Sequence, residues 1–221
     1  IMPTIGRDAQ KAIISIQNQT YTNWELIVVG DGVGPCTHHA GYMPILADKR
    51  IKCFEIPKKL HYPDQPIYHW LVGPVNAINY GLSKVRGAWI ARIDDDDIWA
   101  KTHLEDMLNW MKRDYPGTEF ASAPIEMCGK IPITYKFNRV EIGAVQTWLY
   151  RSYLRCFKCS KHSWRWRPGN NDVDLPRRMA RAGIKMRYFL LRTQSYVVPR
   201  PGLKNVGKKG WMEEREYALG L

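Results

Sequence analysis

Apolar positions in the first hundred residues recur with two different periods. Ala12, Ile13 and Ile16 share one face of a helix that Asp8 is placed to cap, running to about Asn18. Trp24 to Val29 is a short, largely apolar run that predicts a buried strand, ended by Gly30-Asp31-Gly32. Ile51 to Ile56 predicts a further strand. Pro74 suits a first helical turn, and that helix reaches about Val85, closed by Gly87. Ala88 to Ile93 reads as a central strand and Lys101 to Arg113 as another helix. This alternation implies an α/β fold, a mostly parallel sheet flanked by helices.

The second half is less regular. Strands are expected over Glu119 to Ile125, Ile131 to Phe137, Ile184 to Leu190 and Thr193 to Val198. Helices are expected over Val145 to Leu154 and Asp172 to Ala182, the latter stopped by Gly183. The tail from Pro199 is loop-like, then weakly helical from Trp211 to Leu219. A mixed second half on a parallel first half predicts one fused domain over residues 1–221. Residues to about 100 would form its nucleotide-binding half, and the remainder its acceptor-binding half and tail.

Bulk properties narrow the picture. Hydrophobic residues make up 45% of the 221-residue chain, enough for a full core and too many for a disordered one. No window approaches 18 uninterrupted apolar residues, so no transmembrane helix is expected, and no signal peptide is visible. Ile1-Met2 is a very short lead into Pro3-Thr4, so the sequence reads as a fragment. The five cysteines are odd in number and mostly scattered, which fits a reducing, cytoplasmic compartment. Cys156 and Cys159, with His162 behind, have the spacing of half a zinc site, but no second pair follows. The net charge of +12 attracts polyanions: nucleic acid, nucleotide phosphates or the anionic surface of a membrane held peripherally.

The sharpest chemical signal is Asp94-Asp95-Asp96-Asp97, directly behind the apolar run ending at Ile93. Two unit charges about 4 Å apart repel by about 4 kcal/mol at an effective dielectric of about 20. A divalent cation relieves such crowding, and the carboxyl end of a buried strand is where open α/β sheets bind ligands. Asp94 and Asp96 have DxD spacing, and alternation along a strand would aim both at one site. Asp95, out of phase, is expected to point away.

Further residues carry a family resemblance. Pro3-Thr4-Ile5-Gly6-Arg7, Ser15 to Tyr21 and Glu25 to Gly32 resemble the opening of family 2 glycosyltransferases. Asn79-Tyr80-Gly81 followed by Gly87 to Asp97 resembles that family's strand and DxD element, and Asn171 to Leu175 with Arg177 to Gly183 its later acidic motif. The resemblance covers roughly residues 3–200, in order. It implies a Rossmann-like GT-A fold and transfer of a sugar from a nucleotide-diphosphate donor, UDP foremost, to a glycan or lipid-linked acceptor. It implies Mg²⁺ or Mn²⁺ bound by Asp96, with Asp94 on the ribose or on metal-bound water and Asp97 sharing the metal or capping the next turn.

Pro3, Thr4, Arg7, Asp31, Asn79 and Asp95 complete the expected nucleotide-sugar set. Asp31 would accept a hydrogen bond from a base N–H, as its family counterpart does from uracil. Many relatives carry Tyr where Ile5 stands. Asp172 matches the family's catalytic base, giving inversion, and a helix start favours its ionised form. The family often has Glu before that aspartate, whereas Asn171 stands here. Asp174 reads as complementing the same helix dipole. Trp164 and Trp166, interleaved with Arg165 and Arg167, are expected with Asn171 to contact the acceptor, while Trp148 reads as core. The family often supplies a late histidine to the metal, and none follows His162. Arg200 or the segment 204–209 would then meet the diphosphate from a C-terminal loop.

Two other functions compete. A basic, aromatic surface with clustered aspartates also suits a nucleic-acid-binding or nuclease-like protein, yet no nucleic-acid motif is present. A sugar-1-phosphate nucleotidyltransferase would open on a Gly-rich basic loop, which Pro3 to Arg7 is not.

Overall fold

A computed structural model of the chain describes residues 1–6, 8–32, 47–56, 61–64, 66–127, 134–137, 140–165, 171–189 and 195–197. Its strands are β1 (Met2–Thr4), β2 (Leu26–Gly30), β3 (Ile51–Glu55), β4 (Trp89–Ala91), β5 (Asp97–Trp99), β6 (Phe120–Ser122), β7 (Ile125–Met127), β8 (Thr134–Phe137), β9 (Val140–Gly143), β10 (Leu149–Arg151), β11 (Met186–Tyr188) and β12 (Ser195–Val197). The helices are α1 (Gln10–Gln17), α2 (Pro66–Val72), α3 (Val75–Lys84), α4 (His103–Asn109) and α5 (Asn171–Arg181).

The main sheet has the order β3-β2-β1-β4-β10-β6-β11. β1, β2 and β3 pair in parallel. The Ile1 amino nitrogen donates to the Ala91 carbonyl at 2.8 Å, and the Ile93 N–H donates to the Ile1 carbonyl at 3.2 Å. That is the hydrogen-bond pattern of a parallel pair, and it joins β1 to β4. β10 runs antiparallel to both β4 and β6, and β11 is parallel to β6. The sheet is therefore mostly parallel with β10 reversed, as the strand–helix alternation predicts. A second sheet pairs β12 with β5 and β7, and β8 with β9 form a hairpin.

Strand β2 shows why these residues form a central strand. All five of its residues are buried, as expected where helices cover both faces. Alternation sends Leu26 and Val28 to the face where Ala12, Ile13 and Ile16 of α1 pack. Ile27 and Val29 go to the opposite face, against Ala77 of α3. Asp8 accepts the Gln10 N–H at 3.0 Å just ahead of α1, whose N-cap is Ala9, one residue later than expected.

The segment Val145 to Leu154 corrects the sequence reading. Instead of a helix it contains a short 3₁₀ turn (Val145–Thr147), then β10, then a second 3₁₀ turn (Ser152–Cys156). Leu149 pairs with Ala91 and Ala121, and Tyr150 with Ile90 and Phe120. Pairing on both sides outweighs the local pattern, which a buried strand and a buried helix share. Trp148 is core as expected: it is 1% exposed and donates its indole N–H to the Gly143 carbonyl at 2.9 Å. Helix α2 and strand β5 are elements the hydrophobic pattern does not announce. The expected tail helix, Arg200 and the segment 204–209 lie outside the described residues. No helix among the described residues is long and apolar enough to cross a membrane.

Gly143 allows the hairpin to close against β6. A Cβ there would overlap the Ala123 backbone carbonyl, while the Gly143 N–H donates to Ser122 Oγ at 2.9 Å. Gly143→Ala is therefore expected to destabilise by about 1–3 kcal/mol. Differential scanning calorimetry should read this as a fall in Tm of a few degrees to about 10 °C.

Candidate active site

Parallel strands place their carboxyl ends at one edge of the sheet, and that edge carries the cleft. Thr4 ends β1, Asp31 follows β2, and Asp94, Asp95 and Asp96 follow β4. The first turn of α5 brings Asn171 and Asp172 to the facing wall. Together with Pro3, Ile5, Arg92 and the α2–α3 corner these residues line a cavity of about 250 Å³. Pro3, Thr4, Asp31, Asp94, Asp95, Asp96, Asn171 and Asp172 thus line one cleft. Arg7, Trp166 and the side chain of Trp164 lie outside the described residues.

The aspartate run departs from strand alternation because β4 stops at Ala91. Asp94 to Asp97 is a turn, closed by the Asp97 N–H donating to the Asp94 carbonyl at 3.2 Å. Period-two alternation no longer applies, so all of Asp94, Asp95 and Asp96 face the cleft. Asp95 does not point away: it is 5% exposed and accepts the Thr4 hydroxyl at 2.8 Å. Thr4 Oγ1 in turn accepts the Gly6 N–H at 3.1 Å, which ties the β1 loop to the acidic turn. Asp97 starts β5, is 2% exposed and is not part of the cleft wall. Among the described residues no three ligating side chains are grouped as a ready metal cage.

Asp31 is buried and accepts the Tyr62 hydroxyl at 2.6 Å. Tyr62 also accepts the Asn76 N–H at 3.2 Å, and its ring lies 4.8 Å from that of His69. Burial, then the Asp31 carboxylate, raise the Tyr62 phenol well above its ordinary value, so it stays a donor to Asp31. Tyr62 and His69 are site residues that sequence reasoning missed.

Arg92 is buried, and its guanidinium reaches two cleft carboxylates: Asp94 at 3.1 Å and Asp172 at 3.7 Å. The Asp172 side chain is 31% exposed, at the cleft surface. Burial raises its carboxyl above the ordinary value, Arg92 opposes that rise and Asp94 adds to it. The helix start alone suggested the opposite direction, and desolvation outweighs it.

Asn79 is not a cleft residue. Its amide donates to the Cys159 carbonyl and accepts the Cys159 N–H, both at 2.9 Å. Asn171 Oδ1 accepts the Ser160 N–H at 3.0 Å, and Arg178 donates to the Lys158 carbonyl at 2.7 Å. Three side chains thus fix three consecutive residues beneath the start of α5. Asp174 has more than a dipole role, since it holds Arg178 at 2.9 Å. The buried amide nitrogen of Asn171 has no hydrogen-bond partner among the described residues.

Against this geometry the relationships are consistent. Residues 69–168 match the family described as glycosyl transferase family 2. The fold is that of Staphylococcus aureus TarS 1-349, solved in complex with UDP-GlcNAc: TM-score 0.62 at 15% identity, covering 99% of this chain and 64% of that one. It is a GT-A fold. The glycosyl transferase family 2 match spans 100 of the chain's 221 residues. An uncharacterized glycosyltransferase of Haemophilus influenzae is 33% identical over 117 residues, 52% of this chain and 42% of that protein. The Escherichia coli UDP-Glc:alpha-D-GlcNAc-diphosphoundecaprenol beta-1,3-glucosyltransferase WfgD is 30% identical over 113 residues, 50% of this chain and 39% of that protein. The chain thus spans less than half the length of these curated relatives.

The half-zinc spacing is not realised as a pair in one environment, because Cys156 is exposed and Cys159 buried. Burial, opposed by Arg92, pushes the Cys159 thiol up to about 11. The thiolate is the reactive form. Iodoacetamide on the folded protein, followed by peptide mapping, should label Cys156 and spare Cys159, which becomes labelled only after unfolding.

Proposed function

We propose that this chain is the GT-A portion of a metal-dependent, inverting glycosyltransferase. It moves a sugar from a UDP-sugar to a hydroxyl of a glycan or lipid-linked acceptor. The observation that carries the reading is the gathering of Asp31, Asp94, Asp95, Asp96 and Asp172 around one cleft at the carboxyl edge of a parallel sheet. Arg92 is the single Arg or Lys among the described lining residues. Such an excess of hard oxygen donors suits Mg²⁺ or Mn²⁺, which needs few protein carboxylates when phosphates and water complete its shell. Asp96 would hold the ion, with Asp94 beside it. The ion, when bound, neutralises charge developing on the departing diphosphate.

The chain's own residues divide the remaining work. Asp31, its orientation set by Tyr62, accepts a base N–H. The Thr4–Asp95 bond holds the β1 loop against the acidic turn and shapes the floor for the nucleotide. Asp172, on the opposite wall, takes the proton of the attacking hydroxyl. A base on the face opposite the leaving group gives inversion. Its raised affinity for protons suits that role, since a poised base must accept one. Asn171, with Trp164 and Trp166 a few residues before it in the sequence, contributes to the acceptor side. Donor and acceptor classes are those named for the relatives: UDP-GlcNAc for TarS and a diphosphoundecaprenol-linked sugar for WfgD. A cytoplasmic site of action, with the +12 charge resting peripherally on anionic lipid beside such an acceptor, belongs to the same proposal.

A thermal-shift panel of UDP, CDP, GDP and dTDP with and without Mn²⁺ tests the donor class, because a ligand bound only to the native state raises its melting point. UDP with Mn²⁺ is expected to give the largest shift; an equal shift with CDP, whose cytosine lacks the N3–H, would contradict the Asp31 assignment. In calorimetry, folded Asp96→Ala should lose Mn²⁺-dependent UDP binding, and unchanged binding would remove the metal role. Asp172→Asn should retain UDP binding while release of UDP from UDP-glucose or UDP-GlcNAc drops by about 10²–10⁴. Undiminished release would rule out Asp172 as base.

A further inference from the structure

We propose that Arg92 is a positioning residue that clamps the Asp172 carboxylate to the Asp94 carboxylate, so that donor and acceptor sides of the cleft are set by one guanidinium. The inference rests on the reading of Asp172 as base given above.

The two partners come from different parts of the chain. Asp94 follows β4, two residues beyond Arg92, whereas Asp172 enters from α5. The Arg92 side chain is 8% exposed, with Nη2 3.1 Å from Asp94 Oδ1 and Nη1 3.7 Å from Asp172 Oδ1. Separate nitrogens of one rigid, planar fork therefore address separate carboxylates. The angle of the fork fixes where each carboxylate stands relative to the other. The buried Nε has no hydrogen-bond partner among the described residues. Among the described residues the polar contacts of this guanidinium are thus the two cleft carboxylates and not backbone carbonyls, which an arginine serving only the fold would be expected to bind.

The charge balance points the same way. Asp94 and Asp172 repel each other across the cleft, and a guanidinium stays charged throughout the working pH range. Without it Asp172 would turn toward solvent and away from the donor side. A lysine would supply the charge but only one point of attachment, so charge and geometry can be separated by substitution.

The test uses Arg92→Lys, Arg92→Met, Asp172→Asn and the Arg92→Met/Asp172→Asn double variant. Probes are UDP binding with Mn²⁺ by calorimetry and release of UDP from UDP-glucose and UDP-GlcNAc with water as acceptor. Melting curves verify folding. Turnover is expected to fall about 10-fold in Arg92→Lys and about 100-fold in Arg92→Met, in each case a larger loss than that in UDP affinity, because Asp94 stays on the turn behind β4 while Asp172 loses its tie to it. On the Asp172→Asn background, Arg92→Met should reduce turnover by no more than about threefold further, because residues acting as a unit are not additive. Wild-type turnover in folded Arg92→Met, or losses that multiply fully in the double variant, would overturn the positioning role. So would failure of both single Arg92 variants to fold, which would assign the residue to the fold. Wild-type turnover in Asp172→Asn would overturn the base assignment beneath it.

Discussion

The structure depends on carboxylates crowded at the carboxyl edge of a parallel sheet and on what offsets their repulsion. Strands β1, β2 and β4 run in one direction and so deliver Thr4, Asp31 and the Asp94–Asp96 turn to a single place. Within the described part of the cleft the opposing positive charge is the buried guanidinium of Arg92. Two of the cleft aspartates are also held by hydroxyls, Asp31 by Tyr62 and Asp95 by Thr4. In the function proposed above, a divalent ion held by Asp96 would join them and would supply charge neutralisation to the diphosphate.

The facing wall, which carries Asp172, is built by a different device. Asn79, Asn171 and Arg178 each claim a backbone group of the segment 158–160, which packs under the start of α5. That strap sets the height of the first helical turn and hence of Asp172. The Asn79–Cys159 pair joins α3 to it. Rigid support on both walls is what a transfer reaction requires, because the attacking oxygen and the sugar carbon must meet in a narrow range of geometries.

Much of this was legible in the sequence where the controlling interactions are local. The parallel half followed from apolar runs alternating with amphipathic ones, and the aspartate cluster marked the sheet edge. The losses have a common physical cause in long-range pairing. Val145 to Leu154 carries an apolar run compatible with either element, and its two flanking strands decide the outcome. Asp95 was misdirected because the strand ends three residues before the aspartates begin, so alternation had already lapsed. Tyr62 and His69 carry no local motif; Tyr62 has its role through contact with Asp31, 31 residues away, and His69 through its ring contact with Tyr62. Asn79 bears a family motif, yet its partner lies 80 residues on, and only the fold reveals that it braces a strap and does not touch the cleft.

The central claim is most directly tested by anomalous diffraction from a crystal soaked with Mn²⁺ and UDP. The account predicts a manganese peak against Asp96, bridging both phosphates, with the uracil N–H on Asp31 and Asp172 facing the outer phosphate across the cleft. A nucleotide bound elsewhere, or a cleft that takes up UDP while its aspartates bind no manganese, would contradict it.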